Sequence, residues 1–195
     1  MKSRIILCSG GARSGKSEFA ESLALSFEGQ KAYVATGQAF DDEMSDRIKK
    51  HQERRGGALW RNYEVPLHLA SSWDDISSSA DVVLIDCLTM FTTNHMLKHG
   101  SITGGQEDVN ELEASILSEL HTLLKSIQST EGKTVIFVTN EIGLGIVPDN
   151  KLARYFRDIA GGRVNRAVAD ASDQLYLTIS GVTIELKSQE VHING

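Results

Sequence analysis

Eight consecutive residues carry the clearest chemistry in this chain: Gly10, Gly11, Ala12, Arg13, Ser14, Gly15, Lys16 and Ser17. They satisfy the pattern G-x-x-x-x-G-K-[ST] in full, with an apolar run before them and an amphipathic run after them. Glycines let backbone N–H groups close around phosphate oxygens without Cβ clashes, and a helix start adds partial positive charge. Lys16 is then placed to reach the β- and γ-phosphates of ATP or GTP, and the Ser17 hydroxyl to ligate Mg²⁺. A loop of this kind works with a carboxylate at the end of a neighbouring strand. Val82-Val83-Leu84-Ile85-Asp86 offers one. Asp86 reads either as a second Mg²⁺ ligand or as a cap for the helix that follows.

A less common constellation lies between Asp41 and Arg55. On a helix of ~100° per residue, Arg47, His51, Arg54 and Arg55 share roughly one face. Arg47, Lys49, Lys50, Arg54 and Arg55 face only Glu53 in charge, inside a chain of net charge −6. Guanidinium groups grip phosphate oxygens bidentately, and a neutral imidazole is a competent nucleophile toward phosphorus. The residues alone also permit a solvated basic face with an idle histidine, or a histidine at the core's rim beside Met44 and Ile48. A third signal is Thr139-Asn140-Glu141-Ile142-Gly143-Leu144-Gly145-Ile146-Val147-Pro148, a strand end running into a Gly-punctuated loop. Glu141 stands where a strand delivers side chains to a ligand edge, placed to order metal-bound water or a nucleophilic hydroxyl.

The elements that must position these groups alternate. Arg4–Ser9, Lys31–Thr36, Asp81–Cys87 and Lys133–Thr139 are short β-branched runs with polar ends, read as strands buried on both faces. Gln174–Ser180 and Val182–Lys187 alternate more strictly around Gly181, a hairpin at a sheet edge. Helices are expected over Gly15–Phe27, Asp42–Arg55, Leu88–Lys98, Gln106–Ser129 and Asn150–Ala171, with His99–Gly105 a mobile loop. Strands alternating with helices predict an α/β fold with a mainly parallel sheet flanked by helices. Neither a repeat nor a Pro/Gly linker divides residues 1–195, so one domain is expected, with 188–195 a frayed tail.

Composition narrows the function further. The 195 residues include 20 basic and 26 acidic side chains, a balance that argues against a nucleic-acid or membrane-surface binder. Apolar residues at 41% suffice for a core, and no apolar run is long enough to span a bilayer. Cys8 and Cys87 sit in apolar runs and read as buried, reduced thiols rather than a metal pair. With too short an apolar start for a signal peptide, a cytoplasmic protein is expected.

Taken together, GGARSGKS, ATGQAFDDEMSDRIKKHQERR, LWRNYEVP, LIDCLTM, TNEIGLGIVPDNKLARYFRDIAG and LYLTISG resemble the bifunctional adenosylcobinamide kinase/adenosylcobinamide-phosphate guanylyltransferases of cobalamin biosynthesis. The resemblance covers nearly the whole chain and implies a P-loop NTPase-like fold. It implies two half-reactions: phosphorylation of the aminopropanol hydroxyl of adenosylcobinamide by ATP or GTP, then GMP transfer from GTP through a covalent GMP-histidine, giving adenosylcobinamide-GDP. His51 matches the nucleophile. Nucleotide contacts are implied at Gly10 to Ser17, at Ala35, Thr36 and Gly37, at Gln52, Glu53, Arg54 and Arg55, at Glu64 and at Asp86. A homotrimer is implied in the same way. One departure stands out: a single glycine is expected after Arg157-Asp158-Ile159-Ala160, whereas Gly161-Gly162 occur here, a pair expected to kink the helix or shift its register. Two rivals remain at this stage: a P-loop kinase of another small hydroxyl substrate without guanylyl transfer, and a nucleotide-dependent switch or ATPase subunit.

Overall fold

A computed structural model describes residues 1–38, 59–100 and 105–191. The expected helix over Asp42–Arg55, with His51 and its flanking arginines, lies outside the described residues, as do residues 101–104 and 192–195.

One seven-stranded sheet organises the chain: β1 (Arg4–Gly10), β2 (Lys31–Ala35), β3 (Trp60–Glu64), β4 (Val82–Asp86), β5 (Thr134–Asn140), β6 (Gln174–Ile179) and β7 (Val182–Glu185). The spatial order is β3-β2-β4-β5-β1-β6-β7, parallel except for the β6–β7 hairpin at one edge. The hairpin turns at Ser180-Gly181, both with positive φ, the two-residue geometry that matches strand twist. Alternation of side chains along the strands builds a core on each face. Ile6, Cys8, Val82, Leu84, Ile136 and Val138 meet α1 (Lys16–Ser26) through Ala20 and Ala24, whose small side chains let the helix lie close. Ile5, Leu7, Val83, Ile85, Val135 and Phe137 pack on the opposite face. That face is covered by α2 (Leu69–Ser79), α3 (Leu88–His99), the 24-residue α4 (Gln106–Ser129), α5 (Lys151–Phe156) and α6 (Asn165–Ala171).

Three local readings change. The sequence reading has no strand at β3 and no helix at α2. β3 is an outer strand with mostly exposed residues, so it carries no apolar run. α2 is Ser-rich, yet Leu69, Trp73 and Ile76 form a buried i, i+4, i+7 stripe, and the Trp73 indole N–H donates to Thr130 Oγ1 at 2.9 Å. Tertiary burial, worth about 1.5–3 kcal/mol per large side chain, outweighs the weak propensity of serine. The third change concerns Asn150–Ala171. Arg157–Val164 forms a π-helical segment between α5 and α6. A π turn takes one residue more than an α turn. The inward residues are Ile159 and Ala160, then Val164 and Val168, so the buried face continues through the wider turn while Arg163 stays outside it. The second glycine is absorbed by the wider turn, and the chain neither stops nor loses its buried face. Beyond the strands, Lys187–Gln189 adds a 3₁₀ turn that Glu185 caps by accepting from Lys187 and Ser188 N–H.

Candidate nucleotide site at the carboxyl edge of the sheet

The glycine-rich segment leaves β1 at Gly10 and enters α1 at Lys16, at the carboxyl ends of the parallel strands. Its shape is set by close approach. A Cβ on Gly10 would lie 2.5 Å from the Thr178 carbonyl oxygen and 2.6 Å from Ser14 Oγ. Gly15 has φ 98°, a left-handed conformation costly for any residue with a side chain. Neighbouring strands brace the loop: Gly181 N–H donates to the Ser14 carbonyl at 2.8 Å, and Glu141 N–H donates to the Gly10 carbonyl at 2.9 Å. Ser14 Oγ is buried with no hydrogen-bond partner among the described residues, a polar atom left over inside a loop of the phosphate-cradling type. Gly11, Ala12 and Arg13 line the exposed rim, and Ser17 is half-buried at the first turn of α1. Lys16 is only 5% exposed, and its ammonium donates to the Gly11 carbonyl at 3.2 Å.

Asp86 ends β4 on the same side as α1, because Leu84 and Val82, two and four residues earlier, pack into the α1-side core. Tyr33 Oη donates to Asp86 Oδ2 at 3.1 Å. Burial pushes the thiol of adjacent Cys87 up to about 11; the Asp86 charge adds to the shift and the Lys16 charge opposes it, so both charges reach this spot. Cys8 is driven to about 12 by burial, and both cysteines are free and chemically quiet.

Register aligns the remaining candidates. Ala35 pairs with Glu64 on one side and Asp86 on the other, so these three form a row across β3, β2 and β4. Glu64 is exposed, and Gly37 lies half-buried beyond the strand. Thr36 is fully buried. Its hydroxyl accepts from Cys87 N–H and bonds the Cys87 carbonyl, both at 2.7 Å, while its own carbonyl accepts from Asn94 Nδ2 at 2.7 Å. That side chain clips β2 to the end of β4. Gln52, Glu53, Arg54, Arg55 and His51 lie outside the described residues. Positioning groups missing from the sequence reading are Tyr33, Thr178, Gly181 and Asn165; the last accepts from Thr139 Oγ1 at 2.6 Å and donates to the Asn140 carbonyl at 3.1 Å. Their partners lie far off in sequence, 26 positions for Asn165 and Thr139 and 53 for Tyr33 and Asp86, so no local pattern could have announced them.

A family model described as cobinamide kinase / cobinamide phosphate guanyltransferase matches residues 6–186. The chain belongs to that family. It is 41% identical over 184 residues to the bifunctional adenosylcobalamin biosynthesis protein CobU of Salmonella typhimurium, covering 94% of this chain and 99% of the relative. The protein of that name from Escherichia coli is equally similar over the same span. The corresponding CobP of Pseudomonas aeruginosa is 37% identical over 180 residues, 92% of this chain and 95% of that one. Among solved structures, an ATPase of a type III secretion system aligns with 97% of this chain and 59% of its own, at a TM-score of 0.57 and 12% identity. That likeness concerns the fold, which is P-loop NTPase-like. Within this family the enzyme is bifunctional, a cobinamide kinase and a cobinamide-phosphate guanyltransferase.

Proposed function

We propose that Gly10 to Ser17 and Asp86 form the triphosphate site for both half-reactions, and that His51 is the residue guanylylated in the second. The observation that carries the reading is the braced loop, with buried Lys16 at the α1 start and Asp86 on the same face. In the kinase step the acceptor hydroxyl oxygen attacks the γ-phosphorus, the bond to the β,γ-bridging oxygen breaks, and the hydroxyl proton leaves with a base. Lys16 and the loop amides stabilise charge on the transferring group, where preorganised donors act most strongly. In the second step a neutral His51 nitrogen attacks the α-phosphorus of GTP and expels pyrophosphate, its ring proton passing to solvent. The acceptor phosphate then forms the new P–O–P link as the P–N bond breaks.

The donor set fits Mg²⁺. Ser17 and Asp86 offer hard oxygen ligands, and no group of three or more His, Cys, Asp or Glu that could hold a metal occurs among the described residues. Mg²⁺ takes such sites through one or two protein oxygens plus phosphates and water. When bound it neutralises phosphate charge. Adenosylcobinamide and its phosphate are the acceptors in this reading, and a homotrimer the assembly. No helix among the described residues is long and apolar enough to cross a membrane.

Incubation with α-labelled GTP and Mg²⁺ tests the assignment. Wild-type protein should acquire an acid-labile label that adenosylcobinamide phosphate discharges, and His51→Ala should acquire none while kinase turnover stays within about tenfold, since phosphoryl transfer rests on the loop. A label persisting in His51→Ala would move the nucleophile elsewhere.

A further inference from the structure

The two acceptors of this enzyme differ by one group. The kinase substrate ends in a neutral hydroxyl, while the guanylyl acceptor ends in a phosphate carrying about −1.5 to −2 at pH 7. The nucleotide loop is built for a triphosphate, and in the second step the acceptor phosphate must meet a guanylylated His51 rather than lie in that loop. A separate anion site is therefore useful, and the structure has a pocket of the right chemistry. Between the segment after β5 and the π-helical turn lies an open pocket of about 620 Å³, lined by Arg157, Arg163 and Arg166, with Asp158 the one acidic lining residue among the described residues. We propose that this pocket holds the phosphate of the phosphorylated acceptor, retaining the kinase product for guanylyl transfer; the inference rests on the two-step reading above.

Three observations converge. The first is charge: three guanidinium groups line one pocket of an acidic chain. Among the described residues their ion pairs are Arg157, itself half-buried, with Asp158 at 3.3 Å, Arg163 with Glu113 at 3.4 Å and Arg166 with Asp170 at 3.7 Å, the last two at the surface. Exposed pairs of this kind contribute about 0–1 kcal/mol and are readily exchanged for a bidentate phosphate contact. The second is position. Glu141 N–H is bonded to the Gly10 carbonyl, and Gly143 on the pocket wall is three residues beyond Asn140, the partner of Gly10. Three extended residues reach about 10 Å at most and paired strands lie about 5 Å apart, so Gly143 stands no more than about 15 Å from Gly10, at the same edge of the sheet. The third is construction. Gly161 packs so closely under Ile142 that a Cβ there would lie 2.8 Å from Ile142 Cγ1. The π turn keeps Ile159 and Val164 inward, which leaves Arg163 facing outward into the pocket. Among the described residues Gly and Arg dominate the lining, with Val147 the one large apolar residue, so the pocket reads charge rather than a nucleobase.

The test uses equilibrium dialysis without nucleotide, comparing adenosylcobinamide with its phosphate. Wild-type protein should prefer the phosphate by about tenfold or more, the scale of one or two charged hydrogen bonds. Arg163→Met and Arg166→Met should each pull that ratio toward one while adenosylcobinamide affinity stays within about twofold, because only the ester phosphate is touched. Glu113→Gln, which removes the partner of Arg163 but keeps the arginine, should preserve the ratio. Inorganic phosphate should compete with the phosphorylated corrinoid and leave the unphosphorylated one bound, a wild-type measurement that needs no variant to fold. An unchanged ratio in both arginine variants, no preference in the wild type, or no competition by inorganic phosphate would overturn the proposal. Because GTP is absent, loss of the GMP-histidine reading registers separately, in the labelling assay. Protein that binds neither corrinoid would overturn the acceptor assignment itself, a result distinct from equal binding of both.

Discussion

At the scale of single residues, the row of candidates at the carboxyl edge divides into groups that face a ligand and groups that hold the edge together. Lys16 and Thr36 are both buried and both fall in nucleotide-contact motifs, yet their surroundings differ. Lys16 brings a charge to the mouth of the loop, its ammonium donating to the Gly11 carbonyl of the loop itself. Thr36 spends its hydroxyl on both backbone groups of Cys87. Lys16→Ala should therefore lower kinase kcat about a hundredfold or more, the range for removing a preorganised charge contact, with an unaltered urea midpoint. Thr36→Val should do the reverse. It orphans the Cys87 N–H inside the protein and should cost about 1–3 kcal/mol of stability, with a smaller effect on the KM for GTP. A Thr36→Val protein of full stability but weakened GTP binding would make the hydroxyl a ligand contact. Sequence alone could not separate these roles. The motif names both residues, and only the pairing of β2 with β4 shows which hydroxyl is already engaged.

At the scale of elements, what the sequence disclosed follows burial. β1, β2, β4 and β5 are central strands, buried on both faces, and announce themselves as β-branched runs. α4 shows its stripe of Val109, Leu112, Ile116, Leu120 and Leu123 in the sequence. β3 and α2 are silent because their identity comes from what they lean on: an edge pairing in one case, a single tryptophan in a serine-rich helix in the other. The glycine pair belongs between these extremes. Two glycines together read as a break, and the structure turns them into a π turn in which their roles differ. Gly161 has no room for a side chain, whereas a Cβ on Gly162 would meet nothing within 4 Å. Gly161→Ala should thus destabilise by about 1–3 kcal/mol, the cost of overpacking, and disturb the segment around Ile142. Gly162→Ala should be neutral or stabilising by up to about 1 kcal/mol through the helix preference of alanine. Urea midpoints of the two variants decide it, and equal losses at both positions would mean that the turn needs the flexibility of both glycines rather than one tight contact.

For the molecule as a whole, the candidate site lies at the sheet's carboxyl edge while the helices on the face opposite α1 are tied to one another by a polar contact. His95 Nε2 on α3 lies 3.2 Å from Glu119 Oε2 on α4, both side chains mostly buried, with the Phe91 ring 4.5 Å from the imidazole. Burial works to raise the Glu119 carboxyl, but the hydrogen bond and charge of His95, with His68 adding a smaller pull, outweigh it and leave the group below its ordinary value. A carboxyl depressed in the folded state stabilises the fold at pH above its unfolded value and loses that contribution as pH falls through the folded one. The loss therefore belongs to the acid limb, beginning near the ordinary carboxyl range and deepening below it. Its size should be about 1 kcal/mol, given partial exposure to solvent. Glu119→Gln keeps the shape of the contact without a titrating carboxyl. Urea midpoints between pH 7 and pH 3 should fall less steeply for that variant than for the wild type, with the curves converging at the acid end. Parallel curves would show that this pair is no more than packing. A flattened limb in Glu119→Gln, with kinase turnover at pH 7 unchanged, would show instead that the α3–α4 layer is held partly by charge. That layer starts at Leu88, two residues beyond Asp86. Acid would then loosen the helix that follows β4.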